Sequence, residues 1–455
     1  MPGACPPPMK KPGPGTVGTP AAGGRVAALL RTRRQVLQWT SLAMAGAGFA
    51  AIGGCAATGS RSSPKVVVIG AGFGGATAAR YLRMWSDGQV AVTLVDRNRE
   101  FVSCPLSNLV LGGSRQLADI TTSHDGLRRR GVDVVQAEAT RLDTASRKVF
   151  LADGRTLSYD RLVVAPGVDF LYDRVPSLAA AEAAGRVLTA WRAGPQTLAL
   201  RRQLEALPDG GVYAITVPLA PYRCPPGPYE RACQVASYFK VAKPRSKVLI
   251  LDANPDVTSK GALFKKVWAE RYPGIVEYAG NNELLDVDAK TLTAKLQLDD
   301  VKAGVLNVVP PMRAGDIAVQ AGLVNANDRW CMVDWLTMES TAAPGVHVLG
   351  DATLSATQMP KSGHMANQQA KVAAAAIIDA FDGRPPNSAP VVMNTCYSFV
   401  DATQVIHVAS VHQYDPQKRT FEPVPGAGGV SAAPSELEGT YAQAWAANIW
   451  MDMLG

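Results

Sequence analysis

The chain has 455 residues, a length that suggests two or three domains, and its 47% apolar and 18% charged residues exclude global disorder. The formal net charge is +8, but residues 1–55 hold six basic and no acidic side chains, which leaves 40 basic against 38 acidic side chains elsewhere. This near-neutral body argues against a nucleic-acid partner, because phosphate binding needs a concentrated basic surface. Seven cysteines are too few for a disulfide scaffold. Without a Cys-x-x-Cys-His motif or clustered Cys and His ligands, we expect no haem and no metal site in this chain.

Residues 1–57 are typical of a disordered start followed by an export signal. Arg33 and Arg34 precede a weakly apolar stretch, residues 41–57, that is rich in Ala and Gly. A twin arginine before such a stretch predicts export by the twin-arginine route and a periplasmic protein. A membrane anchor is the weaker interpretation, because a spanning helix needs about 20 strongly apolar residues, so we expect no integral span in the mature chain. Cys55 leaves lipidation open as an alternative to simple cleavage.

The first strong motif predicts a dinucleotide-binding unit. Residues 65–69 form a short apolar run typical of a buried parallel strand, and helical character begins at Ala76. The loop between them has Gly-x-Gly-x-x-Gly spacing, which permits a tight turn, close approach of pyrophosphate, and packing of helix on strand. A second strand over residues 90–95 ends at an acid suited to ribose hydroxyls. The candidate cofactor residues here are Gly70, Gly72, Phe73, Gly74, Gly75, Asp96 and Arg97.

Two later segments indicate that the dinucleotide is FAD. Residues 162–167 run from a strand into a turn, and residues 346–352 form a strand that ends in a Gly-Asp pair. Both resemble elements of flavoproteins with two dinucleotide domains, in which the Gly-Asp carboxylate binds the flavin ribityl chain. Their separation predicts a return to the first domain after a long insertion, and His347 is expected to be a core histidine. The candidate residues in these segments are Ala165, Gly167, Gly350 and Asp351.

The insertion repeats the βαβ pattern without a nicotinamide site. Residues 211–217 and 247–252 are predicted strands, with a helix from about Tyr229 to Lys240 between them. Where a nicotinamide-binding copy would carry three glycines, residues 218–230 contain several prolines, which remove backbone N–H donors. We therefore expect this domain to lack NAD(P)H and electrons to enter from another donor.

Cysteines supply the candidate redox chemistry. Five follow the predicted signal, namely Cys104, Cys224, Cys233, Cys331 and Cys396. Cys224 follows Arg223 and precedes a helix, and a cation and a helix N-terminus both favour the thiolate. Glu230, six residues further on, could accept or donate a proton. Five cysteines allow ten pairs and no spacing selects one, while a buried inert thiol is the ordinary interpretation of each.

The chain also carries seven segments with a family pattern: residues 103–108, 222–231, 310–315, 330–331, 350–351, 359–363 and 394–397. Together they resemble the flavoprotein subunit of flavocytochrome c sulfide dehydrogenase, from about Pro64 to the C-terminus. The proline-rich segment around Cys224 is the most specific part of this resemblance. The glycine loop alone would fit many flavoproteins.

The resemblance implies an α/β fold with two Rossmann-like, glutathione-reductase-like three-layer domains and a C-terminal interface segment. The expected divisions are residues 64–175 and 302–385 for a split FAD domain, 176–301 for a degenerate NAD(P)-like domain, and 386–455 for the C-terminal interface domain.

The resemblance also implies roles for single residues. Cys104 would attach FAD covalently, although Pro105 stands where the family pattern suggests an aromatic residue. Cys224 and Cys331 would form a redox-active disulfide beside the flavin, with Glu230 near it, and Cys233 would be additional. The remaining expected contacts are Lys361, Ser362 and Gly363 with the helix under the flavin ring, and Trp445 near the flavin and the partner.

The implied activity is oxidation of hydrogen sulfide to zero-valent sulfur or polysulfide. Hydrosulfide would open the disulfide by thiol–disulfide exchange, and electrons would pass through FAD to a separate mono- or dihaem cytochrome c subunit.

The nearest competing activity is that of a sulfide:quinone oxidoreductase, but residues 441–454 carry no Lys or Arg, which favours packing on protein over a membrane surface. An NAD(P)H-dependent disulfide reductase is disfavoured by the lost glycines. A non-enzymatic flavoprotein accessory to a sulfur-oxidising complex would need the flavin but neither Cys224 nor Cys331.

Overall fold

The computed structural model of the protein describes residues 63–455, so the predicted start, export signal and Cys55 lie outside the described residues. The predicted βαβ unit opens the fold, and its first strand is buried along nearly its whole length. The elements in chain order are β1 (Lys65–Ile69), α1 (Phe73–Trp85), β2 (Ala91–Asp96), β3 (Glu100–Val102), α2 (Ser107–Gly112), β4 (Thr121–Ser123), α3 (Asp125–Arg129), β5 (Asp133–Gln136), β6 (Ala139–Asp143), β7 (Lys148–Leu151), β8 (Thr156–Ser158), β9 (Arg161–Val164) and β10 (Val168–Phe170), with 3₁₀ turns at Leu117–Ile120 and Tyr172–Arg174.

The middle domain is a four-stranded parallel sheet with helices around it. Its elements are α4 (Leu178–Ala183), α5 (Pro195–Ala206), β11 (Val212–Val217), α6 (Gly227–Ala242), β12 (Lys247–Asp252), α7 (Gly261–Arg271), β13 (Val276–Ala279), β14 (Leu284–Asp288), β15 (Thr293–Leu296), β16 (Val301–Lys302) and β17 (Val305–Val308). The strand order is β13-β12-β11-β17, and β14, β15 and β16 form a separate antiparallel sheet.

The middle sheet extends past residue 301, the end that the sequence suggested. β17 pairs in parallel with β11, because its four residues are fully buried and complete the apolar layer of that sheet. The chain therefore leaves the middle domain after Val308.

The chain then returns to the first domain, as predicted. The returning elements are β18 (Met312–Ala314), α8 (Asp316–Gln320), β19 (Val333–Asp334), β20 (Glu339–Ser340), β21 (Val346–Val348), a 3₁₀ turn (Gly350–Ala352) and α9 (Gly363–Phe381). β21 adds in parallel to β9, giving a seven-stranded sheet in the order β19-β20-β21-β9-β1-β2-β5. His347 lies on β21 inside the core, with 2% of its surface exposed. The two-domain Rossmann-like α/β architecture is thus confirmed.

The C-terminal segment is an antiparallel sheet followed by a long helix. It contains β22 (Val391–Phe399), β23 (Val405–Asp415), β24 (Thr420–Pro423), β25 (Gly429–Val430) and α10 (Glu436–Leu454). Ser435 caps α10 by accepting the amide hydrogen of Glu438, and Asp452 near its other end bonds Tyr81 of α1 and Asn367 of α9. None of the helices described within residues 63–455 combines the length and apolar character needed to cross a bilayer.

This topology gathers the ends of β1, β9 and β21 at one edge of the large sheet, where α1 and α9 begin. In parallel sheets, ligands bind outside the carboxyl ends of the strands. α1 and α9 lie against each other, and the Asn367 side chain of α9 donates to the Thr77 hydroxyl of α1 at 2.9 Å. The fold therefore presents two helix N-termini to one place.

Substitutions in the glycine loop can test how closely α1 packs on the end of β1. A Cβ added at Gly75 would lie 1.8 Å from the carbonyl oxygen of Gly70, whereas a Cβ at Gly74 would meet Leu349 at an ordinary 3.4 Å. We expect Gly75→Ala to lower the free energy of unfolding by about 1–3 kcal/mol or more through overpacking. Gly74→Ala is the matched control and should have a smaller effect in the same thermal or urea unfolding measurement. Equal destabilisation by both variants would contradict the packing role of Gly75.

Candidate active site

A cavity of about 1370 Å³ lies at this edge of the sheet. Its walls come from both halves of the first domain, from the first turn of α6, and from β22 and α10. Ordinary small-molecule pockets measure about 300–1,000 Å³, so the cavity has room for an extended ligand such as a dinucleotide.

The glycine loop forms the end of the cavity that suits pyrophosphate. Gly70 has a φ of +91°, and a Cβ added at Gly72 would meet no atom within 4 Å, so the backbone there faces open space. The Asp96 carboxylate accepts the amide hydrogens of Ala71 and Asn98, both at 2.6 Å, and keeps acceptor positions for ribose hydroxyls. The predicted residues Gly70, Gly72, Phe73, Gly74, Asp96 and Arg97 line the cavity, whereas Gly75 packs behind the loop.

Asp351 supplies the clearest sign of a missing hydrogen-bond partner. One of its carboxylate oxygens is buried and has no hydrogen-bond partner among the described residues, although Asp351 lines the cavity with Gly350, Ala165 and Gly167. Burial raises the pKa of this carboxyl group, while Arg223 and Lys361 oppose the shift. An unpartnered buried acceptor is costly unless a ligand satisfies it, and a ribityl hydroxyl is a suitable donor. The residues present therefore fit FAD.

The start of α9 forms the floor of the cavity. Ser362 caps the helix by accepting the Met365 amide hydrogen at 3.0 Å, and both Ser362 and Gly363 line the cavity. Lys361 does not line it. Its ammonium group donates to the carbonyl oxygens of Asp351 and Thr353 and lies 3.7 Å from the Trp330 ring centroid, behind the segment that carries Asp351. The expectation of a direct Lys361 contact is corrected to a supporting one.

Three cysteines line the cavity: Cys104, Cys224 and Cys396. Cys224 has a φ of +59°, donates its amide hydrogen to the Lys361 carbonyl at 2.9 Å, and accepts that of Gly227 at 2.9 Å. A left-handed conformation is costly for a residue with a side chain, and such strain is concentrated at functional sites. Cys104 precedes α2, where its carbonyl accepts the Ser107 hydroxyl at 2.6 Å.

The structure places Cys331 elsewhere, which corrects the predicted Cys224–Cys331 pair. Cys331 is fully buried in the core of the first domain, where its amide donates to the Ala352 carbonyl at 2.9 Å. Burial raises its pKa to about 12. Cys233 is also fully buried, accepts the Trp268 indole N–H at 3.3 Å, and has its pKa raised to about 12 by burial. Cys396 on β22, and not Cys331, lines the cavity with Cys224. All five cysteines of residues 63–455 are free thiols in this structure.

Glu230 brings a carboxyl group to the same wall. It lies in the first turn of α6 and is 8% exposed, and its Oε1 accepts the Phe399 amide hydrogen at 3.3 Å. Burial raises its pKa to about 7, against the lowering effect of the Lys260 cation. A carboxyl group with this pKa can exchange protons near neutral pH.

The first turns of α6 act as a clamp on the cysteine-bearing segments, here called the α6 clamp and formed by Glu230, Arg231 and Gln234. The Arg231 guanidinium donates to the Asn108 side chain of α2 at 3.0 Å, and Gln234 donates to the Phe399 carbonyl of β22 at 3.0 Å. Together with the Glu230 bond, these contacts fix α2 and β22 on either side of α6.

The far wall is aromatic. His364 of α9 accepts the Thr395 amide hydrogen at 3.0 Å, and its ring centroid lies 5.7 Å from that of Trp445 on α10. Burial lowers the pKa of His364 to about 4, so the imidazole is neutral at neutral pH. Tyr397 stands 6.1 Å from Trp445, measured between ring centroids, and all three side chains line the cavity.

Sequence reasoning assigned no role to Cys396, Lys260, Asn394 or His364, and of the α6 clamp it indicated only Glu230. Cys396 lay within a family-like segment but received no role, because no spacing distinguishes it from Cys331. Lys260 has a φ of +56° at the start of α7, a position without a sequence motif. Only the long-range contact between α7 and the C-terminal sheet brings it to the site.

Comparison with known proteins agrees with this geometry. Three family profiles match: pyridine nucleotide-disulphide oxidoreductase over residues 64–201, the central domain of the sulfide dehydrogenase [flavocytochrome c] flavoprotein chain over residues 197–310, and the flavin-binding domain of flavocytochrome c sulphide dehydrogenase over residues 388–454. Among solved structures, sulfide:quinone oxidoreductase from Aquifex aeolicus has a TM-score of 0.69 at 17% identity and covers 86% of this chain and 91% of its own.

Two curated relatives are sulfide:quinone oxidoreductases of mitochondria. The Dictyostelium discoideum protein is 24% identical over 302 residues and the Mus musculus protein is 22% identical over 311. Each match covers 64% of this chain and 65% of the relative, so the chain spans about two thirds of the length of these proteins. The sulfide dehydrogenase [flavocytochrome c] flavoprotein chain of Chlorobaculum thiosulfatiphilum is 54% identical over 46 residues, which are 94% of that sequence and 10% of this chain.

The fold and the cavity define a flavoprotein with two dinucleotide-type domains, the fold of the pyridine nucleotide-disulphide oxidoreductases, and FAD is its cofactor. Within that class, the chain belongs to the flavocytochrome c sulfide dehydrogenase flavoprotein family.

The raised pKa of Glu230 predicts a pH-dependent stability. Between pH about 4.5 and 7 the folded carboxyl group holds a proton that the unfolded one has lost, so the free energy of unfolding falls as pH rises, by on the order of 3 kcal/mol. Glu230→Gln should remove this term, so the stability of the variant relative to the wild type should rise between pH 4.5 and 7 in urea unfolding. Glu277→Gln, at an exposed ion pair with Lys247, is the control and should show no such trend. A constant difference between Glu230→Gln and wild type would refute the shift.

Proposed function

We propose that this chain oxidises hydrogen sulfide to zero-valent sulfur or polysulfide and passes the electrons through FAD to a c-type cytochrome subunit. The observation that carries the proposal is that Cys224, Cys396 and Glu230 share one wall of the flavin cavity. The family membership and the names of the sulfide-oxidising relatives support the same chemistry.

The two cysteines form the redox-active disulfide in this proposal. Hydrosulfide attacks one sulfur, a new S–S bond forms, the disulfide bond breaks, and the other cysteine leaves as a thiolate. A second hydrosulfide removes the outer sulfur as hydrodisulfide and leaves both cysteines reduced, which completes a two-electron oxidation of sulfide. Bound FAD supplies the two-electron acceptor that regenerates the disulfide and the one-electron donor that suits a cytochrome.

Glu230 handles protons in this scheme. With a pKa of about 7, it is partly ionised near neutral pH and can accept a proton from incoming hydrogen sulfide. It stands close enough to Cys224 to affect the pKa of that thiol, which burial raises. In its second role, Glu230 donates a proton to the cysteine that leaves as a thiolate.

Cys104 is the proposed point of covalent FAD attachment. It lines the cavity at the start of α2, whose Asn108 is held by Arg231 of the α6 clamp. A thiol held in the turn just before a short buried helix offers a fixed geometry for a single bond to the flavin. Pro105 does not prevent this, because the turn from Cys104 to Ser107 is closed by two hydrogen bonds to the Cys104 carbonyl.

The cytochrome partner is supported by one face of α10. Leu437, Tyr441, Ala444, Asn448 and Met451 form an exposed, uncharged stripe, here called the α10 stripe. The spacing of four and three residues keeps these side chains on one face. Trp445, one turn after Tyr441, lines the cavity. An apolar protein surface beside an aromatic cavity wall suits a partner that receives electrons.

A periplasmic location by the twin-arginine route remains part of the proposal. It rests on Arg33 and Arg34 before the weakly apolar stretch, and a periplasmic cytochrome would be available there. Sulfide:quinone oxidoreduction is the second candidate function, because relatives with that name share the fold and the sulfide substrate.

The first experiment measures anaerobic, sulfide-dependent electron transfer by the purified flavoprotein to cytochrome c and, separately, to a soluble quinone. Reduction of cytochrome but not quinone supports the proposal, whereas fast quinone reduction supports the second candidate.

Cys224→Ser and Cys396→Ser should each lower the rate of sulfide oxidation by about 100-fold or more, because either variant lacks one of the two sulfurs that the proposed disulfide needs. Cys331→Ser is the matched control and should retain activity. Loss in Cys331→Ser with retention in Cys396→Ser would restore the pair suggested by the sequence.

The α10 stripe predicts a separate effect on the partner reaction. Tyr441→Glu places a charge in the stripe and should raise the KM for the cytochrome about 10-fold while the rate of flavin reduction by sulfide stays unchanged. Val241→Glu, at an 86% exposed position on α6, is the control. Equal cytochrome kinetics in Tyr441→Glu and wild type would exclude the stripe as the docking face.

A further inference from the structure

The two cavity cysteines have different surroundings, and this difference carries an inference that rests on the proposed Cys224–Cys396 disulfide. We propose that Lys260 and Asn394 set the direction in which the disulfide opens, so that the incoming sulfur attaches to Cys224 and Cys396 leaves as the thiolate. Both are positioning residues that act through Cys396.

Lys260 places a cation beside Cys396. Its ammonium group donates to the Cys396 carbonyl at 2.9 Å and to the Ser398 hydroxyl at 2.8 Å, with the Ile406 carbonyl at 3.5 Å. These oxygens fix the charge between α7 and the β22–β23 hairpin. Burial lowers the pKa of Lys260 to about 8, and the neighbouring Cys396, Glu230, Cys224 and Glu438 oppose that shift.

Asn394 adds a hydrogen-bond donor on the sulfur itself. Its side-chain nitrogen donates to Cys396 Sγ at 3.2 Å. Ser362 fixes this orientation, because its hydroxyl accepts the Met365 amide hydrogen and so directs its own proton to the Asn394 oxygen at 2.6 Å. Asn394 and Ser362 are both buried, so the donor has little freedom to turn away from the sulfur.

Cys224 lacks equivalent support. Within residues 63–455, no hydrogen-bond donor is paired with Cys224 Sγ, and the side chain of the adjacent Arg223 is bonded to the Trp191 carbonyl. Burial raises the pKa of both thiols; Lys260 and Asn394 oppose the shift at Cys396, whereas at Cys224 the cation that opposes it is Arg223. The better-stabilised thiolate is the better leaving group in thiol–disulfide exchange.

The step balances without a further reagent. Hydrosulfide donates an electron pair to Cys224 Sγ, the Sγ–Sγ bond breaks, and its pair stays on Cys396 as a thiolate. Cys224 then carries the persulfide and its proton. The negative charge that arrived with hydrosulfide ends beside Lys260 and the Asn394 amide. Reaction at the other sulfur would leave the charge on Cys224, whose Sγ has no hydrogen-bond donor among residues 63–455 and whose effect on the Lys260 pKa is smaller than that of Cys396.

The test maps where the nucleophile becomes attached. The oxidised holoprotein is treated anaerobically with one equivalent of hydrosulfide or of 2-mercaptoethanol, trapped with a fast alkylating reagent, and analysed by peptide mass spectrometry. The expected result is the added sulfur or thiol on Cys224 and the alkyl group on Cys396, with a preference of about 10-fold or more. Addition mainly to Cys396, or a protein in which these two cysteines cannot form a disulfide, would overturn the proposal.

Variants then assign the preference to its causes. Lys260→Met removes the charge and Asn394→Asp replaces the donor with a carboxylate, and both should reduce the preference and raise the pH at which the Cys396 thiolate forms. Lys260→Arg should restore both properties. Lys265→Met, on the exposed part of α7 and paired with Asp256, is the matched control. A preference unchanged in Lys260→Met and Asn394→Asp would refute their role, and flavin absorption identifies variants that fail to fold.

The 2-mercaptoethanol arm separates this inference from the proposed function. Selective mixed disulfide at Cys224, with no consumption of hydrosulfide, would support the direction of opening while refuting sulfide oxidation. Rapid sulfide oxidation with persulfide on Cys396 would support the function while refuting the direction.

Discussion

The active cavity depends on the α6 clamp, because the clamp joins the segments that carry its cysteines. One turn of α6 is hydrogen-bonded to α2, which follows Cys104, and to β22, which carries Cys396. Cys224 itself lies three residues before the start of α6. These bonds are buried, so losing one leaves a polar group without water or partner, at a cost of about 1–3 kcal/mol. Three cysteines that are distant in sequence are therefore brought together by polar contacts from a single helix.

The charges of the site are balanced inside a region that water reaches poorly. Glu230 and Lys260 have pKa values of about 7 and 8, because burial disfavours both charges and their mutual attraction restores part of the loss. Two groups that titrate within about one unit of neutrality allow protons to move with little driving force. Arg231, with four hydrogen bonds, adds a fixed positive charge that does not titrate.

Sequence reasoning recovered what local pattern determines. The predicted strands at residues 65–69 and 247–252 have the same bounds in the structure, and the predicted Gly-Asp pair lines the cavity. Both predictions succeeded because an apolar strand pattern and a short motif depend only on residues adjacent in the chain. The predictions from sequence failed where contacts between segments distant in the chain determine the position of a residue. Cys331 and Cys396 are indistinguishable by spacing, Lys361 lies behind the segment that carries Asp351, and β17 joins the middle sheet only through pairing with β11.

The burial of the remaining thiols has a consequence for which cysteines can react once the chain has folded. Cys233 and Cys331 are sealed in the cores of separate domains, each with no exposed surface. Once the chain has folded, neither can meet another thiol or a small oxidant, so the reactive thiols of residues 63–455 are those that line the cavity. The packed cores thus protect the folded chain from mispairing at Cys233 and Cys331, because a disulfide at either position would first require its domain to open.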